Sequence, residues 1–400
     1  MPGVDGARTM AGEREVVVVC GAGAAGLAAA LSAARHGAEV CLVEAQPQVG
    51  GTVTGALIHT LGGFYDSAGE LLNGGLAREL AEELIREAAA FRRRVGRTWV
   101  LSVAPEAYQA VVQRRLEAEA RIRVCCETRV TGIAAVGRRI AEAEASGPRG
   151  AFRLRTKAVV DATGTAEAVR LIDPGLLQAD PRRTAGGLIF TLRGVAPGTL
   201  AFPRSVGIVR ALRRAAEDGT LPAHCAKAWL DTGCREDEVY VKLFVPLPNN
   251  WRDPEVAVAT MDSARQTQAA VVEYLRRLPE FARATIARTG ALGIRDGGRV
   301  RGEYVLSAAD VREVRKFPDA ACRCCWPIEY WDPDQGVALE YLPEASYYEI
   351  PLRSLKVQGF DNLWAAGKCL SADAHAQASA RVVGCCWSMG EAVGKAVATW

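Results

Sequence analysis

The segment Gly21-Ala22-Gly23-Ala24-Ala25-Gly26 narrows what this chain can fold into more than any other, because of what flanks it. Before it runs Glu15-Val16-Val17-Val18-Val19-Cys20, the apolar, β-branched pattern of a strand buried on both faces. After it, Leu27 to His36 is Ala-rich and reads as a helix. A second strand, Glu39-Val40-Cys41-Leu42-Val43, ends at Glu44. Strand, glycine turn, helix and strand in this order make a dinucleotide fingerprint. Gly21 makes the tight turn, Gly23 lets the backbone approach a pyrophosphate, and Gly26 lets the helix pack closely on the strand. Ala24 and Ala25 stand at the helix N-terminus, whose free N–H groups and positive dipole end suit phosphates. Glu44, followed by Ala45, is spaced to accept hydrogen bonds from an adenosine ribose.

Gly50-Gly51-Thr52 follows the ribose acid by a few residues, and Val159-Val160-Asp161-Ala162-Thr163-Gly164 closes another strand much later. Both resemble the FAD-binding domain of the glutathione-reductase-like flavoproteins. There the doubled glycine continues the fingerprint, and the Ala-Thr-Gly strand packs beside the first one. The dinucleotide implied is FAD.

Composition adds exclusions. Hydrophobic content of 49% and charged content of 24% are ordinary for a soluble globular protein. A net charge of +3 makes no case for nucleic-acid or membrane binding by bulk electrostatics. No apolar run approaches the length of a membrane span. The twelve cysteines lack a secretory context, and the pairs Cys125-Cys126, Cys324-Cys325 and Cys385-Cys386 form no CxxC motif. A reduced, cytoplasmic protein without structural metal is expected.

Along the chain, residues 1–13 are expected to be a disordered tail. Residues 14–184 are the first part of the FAD-binding domain. Within it, Ser67-Ala68-Gly69-Glu70 reads as a capping box starting a helix with Leu72, Leu76, Leu80, Leu84 and Ala88 four apart. A further helix is expected near Pro105, carrying Val111, Val112 and Leu116 inward. Residues 121–161 alternate in short β runs and resemble the β-meander of these flavoproteins. Residues 185–300 change character, with strands at 187–192 and 239–247 and a helix from Pro254 to Arg288, and read as an inserted substrate domain. From 301 to 400 the chain returns to the FAD-binding domain. There a strand enters a turn at Gly367, and a last helix runs from about Ala380 through Val383, Trp387 and Val393. The expected fold is therefore α/β, a Rossmann-like FAD-binding domain with an inserted α+β substrate domain.

Several spaced stretches carry a wider resemblance: Gly293-Ile294-Arg295, Arg301-Gly302-Glu303-Tyr304-Val305-Leu306, Trp326-Pro327-Ile328-Glu329, Tyr348 to Leu355, Ala366-Gly367-Lys368-Cys369-Leu370-Ser371-Ala372 and Arg381-Val382. Together they resemble a large family of FAD-dependent oxidoreductases, more distantly similar to fumarate reductase and 3-ketosteroid dehydrogenase flavoproteins. The resemblance adds Val130, Gly367, Arg381 and Val382 to the cofactor-binding set. Two departures stand out. Trp331 occupies a position where many relatives carry histidine, and Ala374 and Gln377 stand where relatives tend to place histidines, with His375 between them.

Candidate residues for chemistry follow from these placements. His59, beyond the doubled glycine, reads either as a base that takes a substrate proton or as a hydrogen-bonded structural residue. By analogy with succinate dehydrogenase-type flavoproteins it is also a candidate covalent flavin link. Tyr65 offers a phenol in the same region, or core packing. Trp331, with Trp326 and Tyr330, reads as an aromatic substrate wall or as core. His375 flanks the glycine turn, and Arg381 supplies a cation suited to an anionic reduced flavin. The activity implied is a dehydrogenase or oxidase that takes hydride from a small organic substrate and passes electrons to oxygen, a quinone or a redox protein. A flavin monooxygenase using NAD(P)H and oxygen is the alternative. A non-catalytic or RNA-modifying flavoprotein is a lesser one, since the arginines are spread along the chain. Oligomeric state is not legible.

Overall fold

The computed structural model of the protein describes residues 14–178 and 184–400, so the expected tail at 1–13 lies outside the described residues. The chain opens with β1 (Val16–Cys20), α1 (Ala24–Arg35) and β2 (Val40–Val43), as the fingerprint requires. Next come α2 (Thr52–Gly55), β3 (Thr60–Leu61), α3 (Gly75–Arg86), β4 (Ala90–Val95), β5 (Thr98–Val103) and α4 (Pro105–Glu117). The strands β6 (Ile122–Cys125), β7 (Arg129–Val136), β8 (Arg139–Gly147) and β9 (Gly150–Asp161) follow, then α5 (Glu167–Ile172).

The inserted segment contributes β10 (Gly186–Arg193), α6 (Arg204–Glu217), β11 (Trp229–Thr232), β12 (Val239–Val245), α7 (Pro254–Leu275) and β13 (Thr285–Thr289). The return contributes α8 (Ala308–Arg312), β14 (Ala320–Cys324), β15 (Ile328–Asp332), β16 (Gly336–Glu340), β17 (Tyr348–Pro351), β18 (Leu363–Ala365), α9 (Ala374–Ala380) and α10 (Val383–Thr399).

Parallel neighbours in the main sheet run β6-β2-β1-β9-β18. The order reverses between β1 and β9, and the crevice beyond the carboxyl ends of such strands is where doubly wound sheets hold ligands. β9 serves twice. Its first half pairs antiparallel with β8 to make the meander, and its second half enters the parallel sheet beside β1 and β18.

Small residues bind the two ends of the chain together. Gly390 and Gly394 of α10 lie against Ala25, Ala28, Ala29 and Ser32 of α1. A Cβ at Gly390 would stand 2.9 Å from Ala28 Cβ and collide with the Ala25 carbonyl. This close packing sets the N-terminus of α10 near that of α1.

The inserted sheet, β11-β12-β10-β13, has its own core. Leu188, Phe190 and Leu192 alternate inward with Val241, Val271 and Phe281. Ile189 and Tyr240 pack with Leu57 in a separate cluster. The sheet thus has one face for its own core and one that packs on the segment around Leu57. Among the described residues, no helix is long and apolar enough to cross a membrane.

Three sequence expectations are corrected. Ser67 starts no helix: Asp66 Oδ1 accepts from the N–H groups of Ala68 and Glu70 at 2.9 Å, closing a turn instead. α3 begins at Gly75, so Leu72 and Ala88 fall outside it. The helix expected to reach Arg288 stops at Leu275, and Pro279 opens a short 3-10 turn. Beyond it, Leu192↔Ile286 pairing draws Thr285–Thr289 into a strand. The last helix is found as expected, α10 starting at Val383, and a short helix, α9, precedes it with Arg381 and Val382 in the break between them.

Candidate functional site

At the carboxyl end of β1 the chain turns at Gly21, whose φ of +96° suits glycine alone. A Cβ at Gly26 would strike the Gly21 carbonyl, so the helix lies directly on the turn. Gly51 returns to the same place, since a Cβ on it would meet Gly23 Cα at 2.6 Å. Gly50 N–H donates to Ala22 O at 2.8 Å. The fingerprint and the doubled glycine therefore form one cradle.

Glu44 is buried at its rim and accepts from Ala22 N at 2.7 Å and Gln46 N at 2.8 Å. Thr128 N donates to the Glu44 carbonyl, which brings the start of β7, with Val130, alongside Ala45. Across the crevice, Asp161 accepts from Thr163 Oγ1 at 2.7 Å and Val169 N at 3.0 Å, shaping the Ala162-Thr163-Gly164 turn. Thr52 opens α2 directly after the cradle.

The far end of the crevice gathers charge. Arg295, Lys368 and Arg381 are only part-buried as residues, yet their charged ends are desolvated. Burial lowers all three pKa values, that of Arg295 to about 9 with the charge of Arg381 adding to it. None forms an ion pair with a carboxylate among the described residues. Instead Lys368 Nζ donates to Ile294 O at 2.7 Å, Arg295 Nη1 to Ala185 O at 2.6 Å and Arg381 Nη2 to Glu329 O at 3.3 Å. Arg381 Nε is buried without a hydrogen-bond partner.

Gly367, with φ of +77°, places Lys368 against Gly164. Val382 is the N-cap of α10, and its side chain lies beside Gly63. Neither α1 nor α10 has a side-chain cap at its N-terminus. Two uncapped helix N-termini and three desolvated, unpaired cations fit a cofactor that carries a pyrophosphate and a ring able to take negative charge.

An aromatic wall stands over the cations. The Arg295 guanidinium lies 3.6 Å from the Trp331 ring centroid. Glu329 accepts from both indoles, Trp326 Nε1 and Trp331 Nε1, each at 2.9 Å. Tyr330 stacks on His375 with centroids 4.7 Å apart. The structure thus brings Trp331 and Arg381 together with Gly367, whereas His375 lies behind Tyr330, on the face of β15 opposite Trp331. The structure adds Arg295, Glu329 and Lys368, which stand in the resembling motifs with no role legible from the sequence.

His59 belongs to a different setting. It is buried, stacked on Tyr240 at 3.6 Å, with Nδ1 3.2 Å from Leu57 O. Its Nε2 stands 3.7 Å from Asp231 Oδ2, beyond hydrogen-bond reach. Asp231 is already matched by Arg93 at 2.8 Å and Lys242 at 2.7 Å. Burial, reinforced by Lys242, holds the His59 pKa down at about 4. Both ring nitrogens face protein groups. Tyr65 is also buried, with Arg92 5.9 Å from its ring, and its hydroxyl has no hydrogen-bond partner.

Comparison with known proteins fits this geometry. The chain belongs to the FAD dependent oxidoreductase family, whose model matches residues 16–400. It is an enzyme, and FAD is its cofactor. No curated protein matches it in sequence. Among solved structures, a geranylgeranyl bacteriochlorophyll reductase-like protein from Thermoplasma acidophilum is 13% identical with a TM-score of 0.50, covering 96% of this chain and 77% of its own. A triple mutant of the flavin-dependent brominase Bmp2 is 12% identical with a TM-score of 0.47, covering 96% and 80%. At such identity the first of these speaks to the fold alone.

Proposed function

We propose that the enzyme takes hydride from a C–H bond next to nitrogen, oxygen or a carbonyl in a small organic molecule, as a dehydrogenase or oxidase. Electrons then pass to oxygen, a quinone or a redox protein. The observation that carries this reading is the cluster of Arg295, Lys368 and Arg381, three desolvated cations without ion-pair partners. Keeping such charge is costly to the fold unless negative charge arrives to meet it. FAD, when bound, supplies the two-electron acceptor.

The chain's own part is to hold that negative charge with Lys368, Arg381 and the amides at the start of α10. Trp326 and Trp331, pinned by Glu329, exclude water and orient the substrate. Kinship with glutathione-reductase-like flavoproteins, and more distantly with fumarate reductase and 3-ketosteroid dehydrogenase flavoproteins, is part of the proposal and is supported by the strand order. A reducing, cytoplasmic setting is supported by twelve cysteines that are all free.

Anaerobic bleaching of the purified holoenzyme tests the reading. An amine, alcohol or carbonyl compound should bleach the flavin without a nicotinamide nucleotide. Bleaching by NAD(P)H alone overturns the proposal in favour of a flavin monooxygenase.

A further inference from the structure

A second cavity, of about 400 Å³, opens where the FAD-binding part meets the inserted segment. That volume falls within the roughly 300–1,000 Å³ typical of small-molecule sites. One wall comes from α5 and the turn after it, through Arg170 and Leu177. The opposite wall comes from the loop joining β12 to α7, through Leu247, Trp251 and Arg252. The floor is Asp296 to Arg299. Apolar surface from Leu177, Leu247 and Trp251 thus faces convergent polar groups.

The charge in this cavity is unbalanced in a specific way. Arg299 and Asp296 satisfy each other at 2.9 Å. Among the described residues Glu167 is the one carboxylate paired with the remaining guanidinium groups, at 2.9 Å from Arg252 and 3.8 Å from Arg170, and Arg252 also donates to the Thr165 carbonyl at 3.4 Å and stacks 4.5 Å from the Trp251 ring centroid. Arg170 Nε is buried and makes no hydrogen bond. Thr184 Oγ1, also on the lining, is likewise buried with no partner. Two guanidinium groups sharing one carboxylate, beside an unused hydroxyl, leave room for a second anion.

The cavity also communicates with the cofactor end. Ala185, next to Thr184, holds Arg295 through its carbonyl. Asp296 lies close enough to act electrostatically on both Lys368 and Arg381.

We propose that this cavity binds a small organic anion, its charged group held by Arg170 and Arg252 and its apolar body against Trp251 and Leu247. This ligand site goes beyond the hydride-removing reading and stands apart from it. A planar guanidinium pair favours a carboxylate over a point-charge partner, and Trp251 favours a flat or unsaturated body.

Calorimetric titration of the FAD-loaded enzyme with benzoate and with its neutral isostere benzamide tests this. Benzamide should bind at least tenfold more weakly. Arg170→Gln and Arg252→Gln should each weaken benzoate tenfold or more at unchanged flavin content, with Arg252→Lys recovering part of the loss. Equal binding of the two probes overturns the proposal. So does benzoate binding that survives both substitutions but is lost in Arg295→Gln, which would place the anion at the flavin end. Lowered melting temperature in the arginine variants with unchanged benzoate affinity also overturns it, and makes the pair a clamp between the two parts. Bleaching by neutral compounds alone, without benzoate binding, would sink this proposal and leave the hydride reading standing. Arginine-dependent benzoate binding without bleaching by any organic compound would do the reverse.

Discussion

Asp231, on the edge strand β11, is ion-paired with Arg93 and Lys242 and has His59 beside it. Arg295, Lys368 and Arg381, at the end of the parallel sheet, bring a similar amount of charge together with no carboxylate paired to it. The first knot is closed. Its carboxylate is shared by two cations of the protein itself, and its histidine is left neutral. The second is open, and its donors end on backbone carbonyls. Charge that is matched holds two parts of a fold together, whereas charge that is left unmatched costs stability and is kept for a ligand. Substitutions in the two knots should therefore act in opposite directions on the protein without cofactor.

The largest effect is expected at the closed knot. Asp231→Asn leaves Arg93 and Lys242 facing each other without their anion. Both cations are only about three-quarters buried, at 22% and 23% side-chain exposure, so the loss falls at the lower end for a broken buried pair. We expect about 3 kcal/mol of destabilisation, read by urea unfolding of the apoprotein and of the FAD-loaded enzyme alike. A loss seen only with FAD bound would mean that the knot serves the cofactor, and the comparison would break.

His59 sharpens the same contrast through pH. Its folded pKa of about 4 lies below the ordinary 6.5, so between those values the unfolded chain binds a proton that the folded one refuses. The stability associated with neutral, buried His59 is full above pH 6.5 and is lost as pH falls towards 4. The shift corresponds to a loss of roughly 3 kcal/mol at the acid end, and to about half of that near pH 5. His59→Gln should flatten this part of the stability curve. Asp231, held as a carboxylate by the two cations, contributes a further loss only at still lower pH. An unchanged curve in His59→Gln would show that His59 is not the group refusing the proton.

The glycine cradle and the two knots differ in how far they could be read from the chain. The cradle was legible because its determinants are local: Gly21, Gly23, Gly26 and Glu44 sit within one strand–turn–helix–strand unit. Neither knot is local. His59, Arg93, Asp231 and Lys242 meet only because the face of the inserted sheet that carries Tyr240 settles on the segment after α2. Arg295, Lys368 and Arg381 were present in motifs, but their convergence follows from the position of β18 beside β9 and from the break between α9 and α10.

Helix boundaries failed for a related reason. Periodicity carried the α7 pattern onward to Arg288, whereas pairing with β10 decides the conformation there. The capping box at Ser67 was outcompeted by Asp66, which satisfies the same amides from one residue earlier.

The smallest expected effect is the one that most directly opposes the first. Lys368→Met removes a desolvated cation whose hydrogen bond goes to the Ile294 carbonyl and which has no ion pair among the described residues, and replaces it with a flexible side chain of similar length. Without FAD, the variant should be more stable by about 1 kcal/mol, because an unmatched charge no longer has to be desolvated. With FAD, the sign should turn. Losing one of the cations at the cofactor end should weaken FAD binding by about tenfold, or about 1.4 kcal/mol, so that the holoenzyme gains less from its cofactor than wild type does. Melting temperatures of apo and FAD-loaded protein, measured at several FAD concentrations, separate the two terms. A gain in the apoprotein together with weaker FAD marks Lys368 as charge held for the cofactor. A loss in both states would show that Lys368 is matched inside the protein after all, and that the open knot is built like the closed one.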